Sequence, residues 1–160
     1  MSHHITIFTD GASRGNPGPG GWGAILMYGD KIKELSEGYR KTTNNRMELL
    51  AVIKSLLHIK NKSIPILIYS DSKYVVDAVE KKWLDKWIKT DFKGGKKNKD
   101  LWIQYYELQK SLTIHFHWVK GHSDNPYNNK CDELATTAAD QGPWNIDTVF
   151  ENLSLIHISE

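Results

Sequence analysis

The sequence predicts an α/β fold, a mixed sheet of about five strands with helices packed on it. Three observations carry that prediction. Apolar and aromatic residues run to Tyr28, Gly29-Asp30 makes a turn, and a second strand follows, as in a hairpin. The short, continuously apolar run "IPILIYSD" has the character of a strand buried on both faces. Helical stretches flank it and separate it from a last alternating strand, "TIHFHWVK", which favours neighbours in a mixed sheet. The order read is βββαβααβα.

Each element has a local reason. "HITIFTD" alternates well enough for a strand from His4 to Asp10, and the hairpin continues from the apolar run ending at Tyr28 to about Arg40. From Thr43, "TNNRMELLAVIKSLLHIK" is helical. Thr43 or Asn44 can cap it, and apolar side chains nearly encircle it, which indicates burial against a sheet. Ser72 can cap a helix through about Lys82, which "WLDKWIK" extends or follows until Gly94-Gly95 breaks the pattern. "KDLWIQYYELQKSL" is an amphipathic helix, and "NNKCDELATTAAD" reads as a final helix opening near Asn129. Residues 1–143 thus read as one domain, followed by a tail, 144–160, with no assigned structure.

The 160 residues suit a single core. The opening "MSHHITIFTD" lacks a basic segment and a long apolar one, so no secretory signal is expected. No apolar run approaches the roughly 20 residues of a membrane span. The single cysteine, Cys131, cannot form an internal disulfide and suits a reducing cytoplasm. A monomer is expected, since one core consumes the apolar pattern. Charge is uneven. Lys81 to Lys99 holds eight lysines against Asp85 and Asp91, a local net of +6 in a chain of net +2, which leaves −4 elsewhere. Such a segment reads as a solvated loop or as the docking surface for a polyanion.

Gly18, Gly20 and Gly23 spell G-x-G-x-x-G, the dinucleotide fingerprint, but strand and hairpin follow where that motif needs a helix. The glycines are therefore expected to bend the chain, and their small size to admit another backbone closely. Four acids stand out instead. Asp10 and Asp71 each end an apolar strand after a hydroxyl residue. In parallel neighbours about 4.8 Å apart, two such carboxylates crowd unless one is protonated or a cation lies between them. Glu48 shares a helix face with Ala51, Val52, Ser55 and Ile59, an unusual place for a solvated glutamate. Asp132 is read in the first turn of the last helix, where the helix dipole favours an anion. Hard oxygen ligands of this kind select Mg²⁺ or Mn²⁺. His122 lies on a glycine-flanked loop ten residues before Asp132, while His115 and His117 read as one polar strand face.

"FTDGASRGNPGPGGWGAIL", "TTNNRMEL", "YSDSKYV", "WVKGHSDNP" and "NNKCDELA" together resemble the bacterial type 1 ribonucleases H, in order from about residue 5 to 142. The resemblance implies a five-stranded mixed sheet with flanking helices. It implies endonucleolytic hydrolysis of the RNA strand of an RNA/DNA hybrid, with two Mg²⁺ ions (Mn²⁺ as an alternative) and 3′-hydroxyl and 5′-phosphate products. Asp10, Glu48, Asp71 and Asp132 match the family's metal-binding acids, and His122 its mobile histidine, which assists proton transfer or product departure. "WLDKWIKTDFKGGKKNKDLW" matches a basic protrusion, with Lys93, Lys96, Lys97 and Lys99 toward nucleic acid. Trp83 and Trp87, with Tyr74 nearby, match aromatics lining the groove for the DNA strand. Lys41, Thr43 and Asn98 match a pocket for a DNA phosphate, and Ser13, Asn16, Asn44 and Asn45 approach the minor groove and the RNA 2′-hydroxyls. Lys41 stands where arginine is common, which loses a bidentate phosphate grip, and Phe92 where tryptophan is frequent. The alternatives are a hybrid-binding module without catalysis and an integrase-like nuclease of the same fold.

Overall fold

The computed structural model describes residues 3–121 and 124–159. Its strands are β1 (Ile5–Ser13), β2 (Gly18–Tyr28), β3 (Lys31–Thr42), β4 (Ile66–Ser70), β5 (Ile114–Trp118) and β6 (Trp144–Asn145). Its helices are α1 (Asn44–Leu57), α2 (Lys73–Glu80), α3 (Trp83–Lys89), α4 (Lys99–Gln109), α5 (Pro126–Gln141) and α6 (Thr148–Ser159). The strands lie in the order β5-β4-β1-β2-β3-β6. Hairpin pairing makes β1, β2 and β3 antiparallel, while β4 and β5 join beside β1 in parallel. The predicted five strands form the sheet, and the tail adds a short sixth at its edge.

Capping explains where helices begin. Thr43 Oγ1 accepts the Arg46 N–H at 3.2 Å and opens α1, and Ser72 Oγ accepts the Val75 N–H at 3.2 Å and opens α2. Lys82 takes a left-handed conformation (φ 65°), which separates α2 from α3. Successive residues of β1 point to opposite faces. Ile7 joins the main core with Ile68, Leu49, Ile53 and Trp102, whereas Phe8 packs with Ile25 and Cys131 beneath α5.

Two expectations are corrected. Gly18, Gly20 and Gly23 do not turn the chain; with Gly21 they lie within β2, whose pairing with β3 is irregular only between Gly18 and Gly20. Their smallness serves α5, because a Cβ at Gly21 or Gly23 would strike the Ala135 or Cys131 carbonyl oxygen. The close backbone is the chain's own. Second, α5 opens at Pro126 rather than near Asn129. Asn125 accepts the N–H groups of Tyr127 (2.8 Å) and Asn128 (3.2 Å), and Pro126 fits the first helical turn. Asp132 therefore lies beyond the first turn, where the helix dipole contributes little.

The tail docks on the body. β6 pairs in parallel with Gly38–Tyr39, and Trp144 Nε1 donates to the Ala139 carbonyl at 2.9 Å. Asp147 is buried and accepts from Thr42 Oγ1 and Arg46 Nε, both at 2.7 Å, and from Arg46 Nη2 at 2.9 Å. Arg46, itself 2% exposed in α1, also grips Asp100 at the start of α4 through Nη1 (2.9 Å) and Nη2 (2.7 Å). One guanidinium thus ties tail, α1 and α4 together.

Candidate active site

The site forms where β4 ends beside the middle of β1: the first strand does not stop at Asp10 as expected but continues to Ser13, because Asp10 to Ser13 stay paired with β2 after β4 has ended. Phe8 faces Tyr69 in the parallel register, and two residues beyond each stand Asp10 and Asp71. Glu48 comes from α1, which lies directly against β1: a Cβ at Gly11 would run into the backbone of Met47 and Glu48. One carboxylate oxygen from each of Asp10, Glu48 and Asp71 lies within 4.8 Å of the others. They line a cavity of about 310 Å³ whose wall also carries Asp132, from α5, and Arg14. The crowding expected of Asp10 and Asp71 is present. Gly121 abuts Asp71, with room for a Cβ only 3.1 Å from Asp71 Oδ2. His122, the next residue, lies outside the described residues.

The cluster is short of positive charge. The Gly11 N–H donates to Asp10 Oδ1 at 2.9 Å, but Glu48 Oε1 and Asp71 Oδ1 are buried without a hydrogen-bond partner. Arg14 is committed to a fork on Asp140 at 2.7 and 2.8 Å. Burial first, then the charges of Asp71 and Asp132, push the Asp10 carboxyl up to about 8. Burial, followed by Asp10 and Asp71, holds Glu48 well above the usual carboxylate range. Oxygen donors that lack partners and repel one another are the donor set a hard divalent cation needs, so the residues fit such an ion.

A second surface lies beside α3 and the α3–α4 loop. A groove of about 830 Å³ is lined by Asn45, Tyr74, Trp83, Trp87 and Asn98, together with Lys93, Lys96 and Lys97. Lys86 also lines it, a lysine of the same basic stretch that the sequence does not single out. Lys96 Nζ lies 5.7 Å from the Trp87 ring centroid. Lys99, by contrast, pairs with Asp91 at 2.7 Å, so its charge is largely answered locally. Asn16 Oδ1 accepts the Asn44 N–H at 3.1 Å, which brings the loop after Ser13 to the start of α1. Lys41 is exposed at the end of β3, and Thr43 is spent on the α1 cap.

A sequence model of the RNase H family matches residues 2–140. The chain belongs to the ribonuclease H family. It is 54% identical over 147 residues to a ribonuclease H of Chlorobium luteolum, covering 89% of this chain and all of that protein. Another family member, from Lachnoclostridium phytofermentans, is 51% identical over 157 residues, covering 92% of this chain and 99% of its own. In three dimensions the chain is similar to LC9-RNase H1, a type 1 RNase H with the type 2 active-site motif. That match has a TM-score of 0.77 at 26% identity and covers 87% of this chain and 73% of the other. Ribonuclease H membership makes the chain a nuclease and a hydrolase. Arg46, which lies inside "TTNNRMEL" but is given no role there, and Asp147, which no motif covers, brace this ribonuclease H fold. The one available signal is an arginine inside a helix that is otherwise apolar nearly all round.

Proposed function

We propose that the chain is an endonuclease that hydrolyses the RNA strand of RNA/DNA hybrids at the carboxylate cluster, leaving 3′-hydroxyl and 5′-phosphate ends. The observation that carries this reading is the grouping of Asp10, Glu48 and Asp71 within 4.8 Å at the head of a ribonuclease H sheet. With Asp132 they would hold two divalent cations, Mg²⁺ by preference and Mn²⁺ as an alternative. Bound there, the cations would supply Lewis-acid polarisation of the scissile phosphate and a water ionised near neutral pH.

The protein's own residues do the rest. The crowded acids are fixed on β1, α1 and the end of β4, so little reorganisation attends the reaction. His122 is assigned to proton transfer or product departure. The lysine groove steers the polyanion, its tryptophans offer faces to the DNA strand, and Lys41, Thr43 and Asn98 take a DNA phosphate. Ser13, Asn16, Asn44 and Asn45 read the RNA 2′-hydroxyls, the group that separates RNA from DNA. No described helix is long and apolar enough to cross a membrane. The lone cysteine, Cys131, is buried and unpaired, which supports a reducing cytoplasm as the place of action, where the chain works as a monomer.

The test is one labelled RNA strand offered as RNA/DNA, as RNA/RNA and alone: cutting is expected in the hybrid only, and equal cutting of all three overturns the substrate assignment. The groove has its own test. Replacing Lys93, Lys96 and Lys97 by glutamine should weaken hybrid binding and lower the salt slope by about one unit for each phosphate left unneutralised. Adding Lys99→Gln should change the slope little, because Asp91 already answers that charge. An unchanged slope in the triple variant returns the segment to a solvated loop.

A further inference from the structure

The buried acid of the tail stands between the two halves of the phosphate site. Asp147 Oδ2 accepts from Thr42 Oγ1 at 2.7 Å, and Thr42 lies between Lys41 and Thr43. The same carboxylate holds the Arg46 fork at 2.7 and 2.9 Å. Arg46 in turn reaches the other half, since its Nη1 donates to Asn98 Oδ1 at 3.3 Å. Asn98 is the left-handed residue (φ 66°) that precedes α4, and its side chain makes no cap bond to that helix. Its amide is instead held at both ends, with Nδ2 donating to Tyr74 Oη at 3.1 Å, while Trp102 Nε1 donates to the same oxygen at 2.7 Å.

Arginine has only donors. A guanidinium beside Asn98 therefore compels the amide oxygen to face inward and leaves the NH₂ group to face Tyr74 and the groove, which Asn98 and Tyr74 both line. Without that guanidinium the amide is free to turn over and present its oxygen, which repels a phosphate.

We infer that Asp147 is a positioning residue for substrate binding: through Thr42 and Arg46 it sets the separation of the Lys41–Thr43 and Asn98 halves and the direction of the Asn98 amide. The tail segment is then part of the binding apparatus and not only a brace. This inference rests on the proposed reading of Lys41, Thr43 and Asn98 as a phosphate site.

The experiment is steady-state cleavage of a hybrid by Asp147→Asn, Thr42→Val, Asn98→Ala and the Asp147→Asn/Asn98→Ala double variant, at a temperature well below each unfolding midpoint. Asp147→Asn should raise KM about fivefold with kcat within about twofold of wild type, the effect of losing one well-aimed hydrogen bond. Thr42→Val, which spares the Arg46 fork, should raise KM by less. In the double variant the two effects should not multiply, because both act through one amide. A purely structural role would lower the midpoint and leave KM alone. If Asn98→Ala raises KM while Asp147→Asn does not, or if the effects multiply, the inference falls and the phosphate site stands. If Asn98→Ala leaves KM unchanged, the phosphate site itself is wrong and the inference falls with it.

Discussion

Asp10→Asn should abolish cleavage, by about a thousandfold or more, while leaving hybrid affinity at or above that of the wild type. The substitution removes one of three oxygen donors grouped within 4.8 Å and touches none of the residues proposed to hold phosphate. The same variant has a stability signature that needs no substrate. In the folded chain without a cation, Asp10 holds its proton up to about 8, against an ordinary value of 3.8. The folded state therefore binds more protons than the unfolded one between those limits, and wild-type stability falls as pH rises through them. Asparagine carries no such penalty. In EDTA, Asp10→Asn should melt with the wild type near pH 4 and above it near pH 8, and added Mg²⁺ or Mn²⁺ should narrow the gap. Full activity would show that Asp10 holds no metal, and a lower midpoint at pH 8 would show that the carboxylate cluster is not under electrostatic stress.

Arg46→Ala should be the most destabilising single change outside the hydrophobic core, costing about 3–5 kcal/mol. Truncation leaves Asp147, 8% exposed, and Asp100 without their shared cation, and removes the bond that joins α1 to α4 and the tail. For a chain of this size such a loss lowers the thermal midpoint by roughly 10 °C. Adding Asp147→Asn to Arg46→Ala should recover part of it, because one stranded buried charge disappears. A loss below about 1 kcal/mol would mean that the network is solvated and the tail loosely held.

Legibility in the sequence follows the range of the interaction. The hairpin, the caps at Thr43 and Ser72 and the strand β4 are local patterns, and each is present, although β4 is fully buried on one face only: Leu67 and Tyr69 on the other are half-buried. Asp10 and Asp71 are visible because each follows an apolar run and a hydroxyl residue, and Glu48 because it is polar on an apolar helix face. The role of the β2 glycines is hidden, since what approaches them is a helix more than a hundred residues later in the chain. The start of α5 reads late because the periodic run is a stronger pattern than the Asn125-Pro126 cap that precedes it. What docks the tail ahead of α6 is opaque for a plainer reason: two residues of strand and one buried aspartate carry no periodicity, and the partner of that aspartate is 101 residues away.

One assay decides the matter. A hybrid bearing distinct labels on its RNA and DNA strands is incubated with the wild-type protein in Mg²⁺ and, separately, in EDTA. The RNA strand alone should be cut, at internal positions, only with the metal, and with 3′-hydroxyl ends. Cutting of the DNA strand, or RNA cutting that persists in EDTA, would contradict hydrolysis at a cation-holding carboxylate cluster.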